Sequence, residues 1–381
     1  MNSLFVQFYN TINNRYDLIN GFSDTYDLCK TKGDFLWIDE NKPYKLPIQK
    51  GTVYVSVCYL TQLYIVYQLA IMYPDIKFIV GGPVTNTNYW VGKTLIPKNI
   101  NIITCTVEEY FGVPNFSYPW KLELPEIEQY DTINYMYTLD NYCYWQKCIY
   151  CSFKPIKPNS RTNIDFGFLN VEHTGKQVIN LYAPSISPSK LYTLLSKLTY
   201  DKNIRYDIFL RADKKIKEVL KKLLIEKGDK FPFCKFFLGI EFPSNRMLKF
   251  MKKNNTVEDF LNIIEMLTEF GYGKQIIMHL PFILRWNNLE SSDIIQLEQF
   301  LSKLDYNKLN FVFSVYPLEI LLNTPLHNDY YIDIDEKLYR GPFCYGFKPL
   351  ISKEQIDLSQ QALNLLNNQP VDIYDYTNGF K

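Results

Sequence analysis

Apolar residues along this chain recur at two different spacings, and the change of spacing marks out its elements. Short runs rich in β-branched and aromatic residues occur at 3–8, 53–58 (Val53-Tyr-Val-Ser-Val-Cys58), 77–80 and 101–105. Such runs predict strands. An apolar stretch over 61–73 reads as a helix, and Gly81-Gly82-Pro83 is a turn signal. Strand, helix, strand at this spacing predicts a parallel βαβ unit, so residues 1–115 read as a small Rossmann-like domain. Pro114, Pro119 and Pro125 mark a linker, placed at 116–132.

From Ile133 a longer alternation begins, with strand-like runs at 133–139, 177–183, 206–211, 235–241, 275–281 and 310–316. Amphipathic helices are predicted between most of them. One carries Leu191, Leu194, Leu195 and Leu198, with Ser187 as N-cap and Pro188 in its first turn. The next carries Ile216, Val219, Leu220, Leu223 and Leu224 and stops at Gly228. A third pairs Thr256 with Asp259 as a capping box ahead of Phe260, Ile263, Ile264 and Leu267, and stops at Gly271. A fourth shows Ile294, Leu297, Leu301 and Leu304. The fold class expected is α/β: a partial parallel (βα)6 TIM-like barrel over 133–330, preceded by the Rossmann-like domain. Such barrels carry their chemistry at the C-terminal ends of the strands. Residues 331–381 form a C-terminal extension with a helix at 353–367 and a polar tail.

Composition narrows the function classes. Lys plus Arg (41) nearly balance Asp plus Glu (40) among 381 residues, and no basic stripe appears, so a nucleic-acid partner is not expected. No apolar run is long enough to span a bilayer, and the first residues do not form a signal peptide. The expected location is the cytoplasm, away from membranes. A chain of this length buries a core without staples, which points any metal site toward chemistry.

The cysteines supply that site. Five of the eight are scattered singly, while Cys143, Cys148 and Cys151 fall within nine residues, directly after the strand expected at 133–139. In a cytosolic chain this clustering reads as metal or redox chemistry sooner than disulfides. Three thiolates can hold a four-iron cluster, which normally takes four, and leave one iron open. Zinc is the alternative, but a structural zinc site closes with four ligands. Here no second Cys-x2-Cys occurs, and only three histidines are present.

The segment Cys143-Tyr-Trp-Gln-Lys-Cys148-Ile-Tyr-Cys151, placed after a first barrel strand, resembles the radical S-adenosylmethionine (SAM) superfamily. Its Cys-x4-Cys-x2-Cys spacing departs from the commoner Cys-x3-Cys-x2-Cys. It is similar to a variant in members with a cobalamin-binding-type N-terminal domain, many of which mature peptides or natural products. The stretch Phe237–Tyr272, "IIMHLPF" and "FVFSVYPLEILLNTPL" are similar to the family's fourth, fifth and sixth strand regions. In total the resemblance covers roughly 105–330, and more weakly 50–105.

The resemblance implies a [4Fe-4S] cluster on Cys143, Cys148 and Cys151, SAM on its open iron, and reductive cleavage of SAM to a 5′-deoxyadenosyl radical. That radical is expected to modify a peptide or natural-product substrate by epimerisation, cross-linking or methylation, with a cobalamin-dependent methyltransferase acting on a small molecule as the alternative. Tyr150 matches an aromatic near the adenine. Glu241, ending its strand, resembles the carboxylate that accepts from the SAM ribose. Arg211, at the end of the preceding strand, suits the SAM carboxylate; a salt bridge between Arg211 and Glu241 is the purely structural alternative. The family's acidic residues after the second strand are missing, leaving Ser185 or backbone carbonyls for the SAM amino group. His279 is a further SAM candidate, against packing as the simpler reading. Cys344 is a candidate hydrogen-atom donor, against an incidental thiol. In the first domain the resemblance places Ser56, Thr61, Gly81 and Gly82 beside a cobalamin tail. The Asp-x-His-x-x-Gly motif is absent, so a vestigial, cofactor-free domain is the competing reading. The expected partners are a peptide or small-molecule substrate and a reductant such as flavodoxin or ferredoxin. A non-catalytic protein with a vestigial site and a zinc protein remain as rivals.

Overall fold

A computed structural model describes residues 3–12, 15–18, 26–82, 96–105, 107–113, 129–140, 143–151, 164, 166, 175–271, 276–322, 324–328, 334–340 and 343–376. The fold is α/β and its strand pairing is mostly parallel. The chain divides into two compact units. The first comprises Met1–Thr138, Arg161–Asn180 and Leu338–Tyr345, and the second Leu139–Ser160, Leu181–Lys337 and Gly346–Lys381.

The first unit contains β1 (Ser3–Ile12), β2 (Arg15–Leu18), α1 (Tyr26–Lys30), β3 (Asp34–Asp39), β4 (Gly51–Ser56), α2 (Leu60–Met72), β5 (Ile76–Gly81), β6 (Ile100–Ile102), α3 (Val107–Tyr110) and β7 (Thr132–Thr138). Its strands run in the order β7-β2-β1-β4-β5-β6, with β3 also on β1. The strands at 53–58, 77–80 and 101–105 and the helix at 61–73 all appear, within a few residues of their expected ends. The β1–β2 pair is antiparallel, which the sequence pattern did not anticipate. Val6, Phe8, Val53, Val55, Phe78 and Val80 pack with Leu63, Val66 and Leu69 of α2 in one buried cluster. The expected linker lies largely outside the described residues.

The strand β8 (Lys176–Tyr182) ends in the second unit, where α4 (Pro188–Lys197), β9 (Ile204–Leu210), α5 (Lys214–Lys227), β10 (Cys234–Leu238), α6 (Asn245–Phe250), α7 (Val257–Phe270), β11 (Ile276–Leu284), α8 (Ser291–Ser302) and β12 (Asn310–Pro317) follow. Then come β13 (Ile320–Leu321), α9 (Pro325–Asn328), β14 (Ile334–Arg340), β15 (Phe343–Pro349), α10 (Lys353–Asn367) and β16 (Asp372–Asp375). Strands β9, β10, β11, β12 and β16 lie side by side and parallel. The tail after α10, read as polar extension, instead supplies β16, whose Val312↔Asp372 to Val315↔Asp375 register completes the edge of β12. Its four residues are too few and too polar to announce a strand; the unpaired backbone of β12 recruits them.

The helix boundaries follow their caps. Ser187 accepts from the Lys190 amide, Asp213 from Ile216, and Thr256 forms a capping box with Asp259. Alternation within the strands separates two sides of the sheet. Tyr206, Ile208, Leu210, Cys234, Phe236 and Leu238 are buried on one side. The other side carries Phe209, Phe237, His279 and, at the strand ends, Arg211 and Glu241. We expect Leu220→Ala, at a fully buried α5 position, to lower stability by about 2–5 kcal/mol; urea unfolding should show this as a lower midpoint with an unchanged slope.

Candidate active site

The cysteine segment is a loop whose backbone is tied to two other parts of the second unit. The Ile149 amide donates to the Met251 carbonyl (3.2 Å), and the Ile149 carbonyl accepts from Leu326 (2.7 Å). Trp145 Nε1 donates to the Lys252 carbonyl (2.8 Å). Cys143, Cys148 and Cys151 are half-buried and not joined in a disulfide. Among the described residues no three His, Cys, Asp or Glu side chains are already gathered as a metal-ligating group. The donor type and number nevertheless fit a four-iron cluster: three soft thiols on one loop, with Cys148 in electrostatic reach of Cys143, Lys253, Arg211 and Glu241. Drawing such ligands together is work that metal binding itself does. Burial pushes the Cys148 thiol up, while the Lys253 and Arg211 charges pull it back toward thiolate.

Glu241 is the second half of the site. It follows β10 with φ 56°, a left-handed conformation uncommon for any residue with a Cβ. Hydrogen bonds to β11 fix it there: its amide donates to the Pro281 carbonyl (3.0 Å), and its carbonyl accepts from Ile283 (2.7 Å). The turn folds the carboxylate back over Gly239, where an added Cβ would lie 3.1 Å from Oε1. Oε1 accepts from the Tyr150 hydroxyl (2.7 Å) and Oε2 from Lys253 Nζ (2.5 Å). Lys253 Nζ also donates to the Tyr150 hydroxyl (3.2 Å). Tyr150 meets Trp286 edge-on at 6.1 Å. Burial, then the Glu241 carboxylate and the neighbouring thiols, hold its hydroxyl protonated, well above its ordinary pKa.

Arg211 is buried, but Glu241 is not its partner. Its Nη2 donates to the Lys253 carbonyl and to Asn255 Oδ1 (2.7 Å), and its guanidinium lies 4.7 Å from the Trp145 ring centroid. The strand-end salt bridge expected as the alternative is therefore replaced by Lys253–Glu241. Lys253, Asn255 and Trp145 escaped the sequence reading. The only signal for Lys253 was a polar run, Lys252-Lys253-Asn254-Asn255, between two helices. Ser185 Oγ is buried and makes no hydrogen bond of good geometry to the described residues, with the Tyr144 hydroxyl beside it. That hydroxyl is given to Asp213 instead (2.5 Å).

His279 stands apart from these residues. It pairs in register with Phe237, whereas Glu241 bridges Phe282, three residues and roughly 10 Å farther along the strand. Its ring stacks on Phe237 (4.4 Å), and Nε2 bonds Ser314 Oγ (2.8 Å). Burial and the Lys235 and Arg205 charges lower its pKa to about 3. Cys344 falls on β15, and its side chain is outside those described.

In the first unit Ser56, Gly81 and Gly82 do come together, lining a cleft with Phe5, Tyr54, Ile103, Tyr110 and Phe111. Thr61 lies on α2 and does not line it. Aromatic rings take up much of the described cleft. Phe5 stacks on Tyr54 at 4.7 Å, Phe111 lies 5.6 Å from Tyr54, and Tyr110 meets Phe111 edge-on at 5.1 Å. The remaining cavity is about 40 Å³, room for a few waters. Gly82, at φ 104°, gives its missing Cβ to the fold, since that atom would lie 2.5 Å from the Val57 carbonyl oxygen. As these rings stand, the described part of the cleft is too small for the planar nucleotide base of a cobalamin tail.

The described residues combine a mostly parallel α/β fold with a three-cysteine loop beside a strand-end Glu. No protein-family model matches the sequence, and no curated protein matches it. Among solved structures, the cobalamin-dependent S-adenosylmethionine radical enzyme OxsB, with aqua-cobalamin and S-adenosylmethionine bound, shares 13% identity over 94% of this chain and 66% of its own, with a TM-score of 0.61. Its apo, selenomethionine-labelled form gives 14% identity, the same coverage and a TM-score of 0.62. The chain thus spans just under two thirds of OxsB's length, and its fold is similar to that of OxsB.

The depressed His279 pKa has a sign. The unfolded chain takes up this proton near the ordinary value of 6.5 and the native protein near 3, so the contribution is complete above about pH 6.5 and lost as pH falls toward 3. Between pH 7.5 and 5 we expect wild type to lose about 2 kcal/mol more stability than His279→Gln, read as the difference in urea midpoints.

Proposed function

We propose that this chain is a radical SAM enzyme that modifies a peptide or natural-product precursor by epimerisation or cross-linking. The observation that carries the reading is the meeting of the Cys143–Cys151 loop with the strand-end Glu241 through the Tyr150 hydroxyl. It is supported by a fold shared with OxsB. When bound, the [4Fe-4S] cluster supplies the electron that cleaves SAM and releases the 5′-deoxyadenosyl radical. Cys143, Cys148 and Cys151 would hold the cluster.

The chain's own residues bind and orient. Glu241 has both carboxylate oxygens presented at the loop and accepts hydroxyl donors in the geometry it now offers Tyr150 and Lys253. Ser185 offers a buried hydroxyl beside that of Tyr144. Arg211 holds the 253–255 segment in place rather than projecting a free fork. Tyr150, Trp286 and Phe250 enclose one side of the site in aromatic surface, which limits water near a radical. The peptide setting rests on the cysteine-loop variant, and an external flavodoxin or ferredoxin is the proposed reductant. Because aromatic rings occupy the described part of the first-unit cleft, the reading favours reactions that need no cobalamin over cobalamin-dependent methyl transfer. No helix among the described residues is long and apolar enough to cross a membrane.

Anaerobic purification and reconstitution should give a brown protein with about four irons per chain that converts SAM to 5′-deoxyadenosine under reduction. The Cys143→Ala, Cys148→Ala, Cys151→Ala variant should lose both properties; retention of iron by that variant, or a stoichiometric zinc, overturns the assignment. After incubation with hydroxocobalamin and gel filtration, the wild-type protein should retain no corrinoid. Stoichiometric retention would restore methyl transfer as the reaction.

A further inference from the structure

The second unit places Lys253 just past the C-terminal cap of α6, and capping explains its backbone but not the burial of its ammonium. Lys253 is 5% exposed, and lysine is almost never buried unless paired. Lys252, at φ 55°, is the left-handed residue that closes α6, its amide donating to Lys249 (3.1 Å) and that of Lys253 to Leu248 (3.0 Å); Asn254, also at φ 55°, lies beyond that cap. Four hydrogen bonds over-determine this segment. The Met251 carbonyl accepts from Ile149, the Lys252 carbonyl from Trp145, the Lys253 carbonyl from Arg211, and Asn255 Nδ2 donates to the Ala212 carbonyl. Two of the four partners, Trp145 and Ile149, belong to the cysteine loop itself. The result is an ammonium held against Glu241 Oε2 (2.5 Å) and the Tyr150 hydroxyl (3.2 Å). Tyr150 sits between two of the three cysteines in sequence.

A buried ion pair is not in itself a stabilising device, because apolar residues of similar volume often do as well. Its charge, however, acts strongly on whatever lies nearby in a low dielectric. A cluster on three thiolates carries their negative charge and gains more with each electron, and the net charge around such a cluster tunes its potential.

We propose that Lys253 is a positioning residue of the cluster site: it fixes the Glu241 carboxylate and neutralises it beside the cysteine loop, easing reduction of the cluster. The proposal rests on the radical SAM reading. It assigns opposite effects to the two members of the pair. Removing Lys253 leaves an uncompensated carboxylate near the cluster, which disfavours the added electron; neutralising Glu241 leaves an uncompensated ammonium, which favours it.

The test is a redox titration of the reconstituted holoprotein, followed by electron paramagnetic resonance without SAM or substrate. Lys253→Met should shift the one-electron equilibrium toward the oxidised cluster by tenfold or more, a midpoint more negative by about 59 mV per factor of ten. Glu241→Gln should shift it the other way, and Lys253→Arg should restore the wild-type value. If Lys253→Met does not fold, the direction of the Glu241→Gln shift decides alone. An unmoved midpoint in a variant that keeps its full iron, or a shift of the same sign for both members of the pair, overturns the role of Lys253 and leaves the enzyme class standing. A wild-type protein that assembles no cluster overturns both.

Discussion

Glu241 occupies a backbone conformation that its own side chain disfavours, and the candidate site is arranged around that residue. At φ 56° the chain leaves β10 and turns its carboxylate back across Gly239, while the main chain stays bonded to β11 on both sides. A strand continuing in extended geometry would carry the carboxylate away from the cysteine loop. The left-handed turn brings it to the Tyr150 hydroxyl and the Lys253 ammonium. Strain of this sort persists only where the surroundings over-determine it. Here the surroundings are strand pairing behind the residue and two strong hydrogen bonds in front of it.

The same pattern recurs around the site. Gln146 in the cysteine loop, Lys252 and Asn254 beside Lys253, and Arg285 after β11 also have positive φ. All belong to the second unit, and the helices and strands between them are regular and well capped. The rigid βα framework thus carries irregular segments at the ends of its strands, where the chemistry of such sheets is expected. Arg211 illustrates the division of labour. Its strand places it at the same edge as Glu241, yet its guanidinium is spent on the Lys253 carbonyl and Asn255. It holds the neighbouring segment in shape, and that segment supplies the cation facing Glu241.

The two units contrast in how much room they leave. The second keeps polar groups at its strand ends, such as Ser185 Oγ. The first takes up much of its corresponding cleft with Phe5, Tyr54, Tyr110 and Phe111. Gly82 serves close packing of the chain after β4 against the turn after β5, and Gly81 packs against Ile103. Gly82 looks like a ligand-approach glycine in sequence, and its missing Cβ answers instead to the Val57 backbone.

The sequence by itself determined the framework: apolar periodicity located the helices and most strands, because burial imposes a period of 3.6 or 2 on whatever packs. Local rules located the caps at Ser187, Thr256 and Gly228. The cysteine loop was legible because three thiols within nine residues have few other uses, and Glu241 and Arg211 were legible as polar groups ending apolar runs. Only the tertiary structure decided their partners. Lys253 is twelve residues from Glu241 and about a hundred from Tyr150, and a lysine in a polar run carries no mark of burial until packing encloses it. The pairing of Arg211 with the 253–255 segment, the recruitment of β16 by β12 and the crowding of aromatic rings into the first-unit cleft are likewise long-range outcomes. Each depends on which surfaces meet, and hydrophobic patterning specifies which face of an element is buried without specifying what it is buried against.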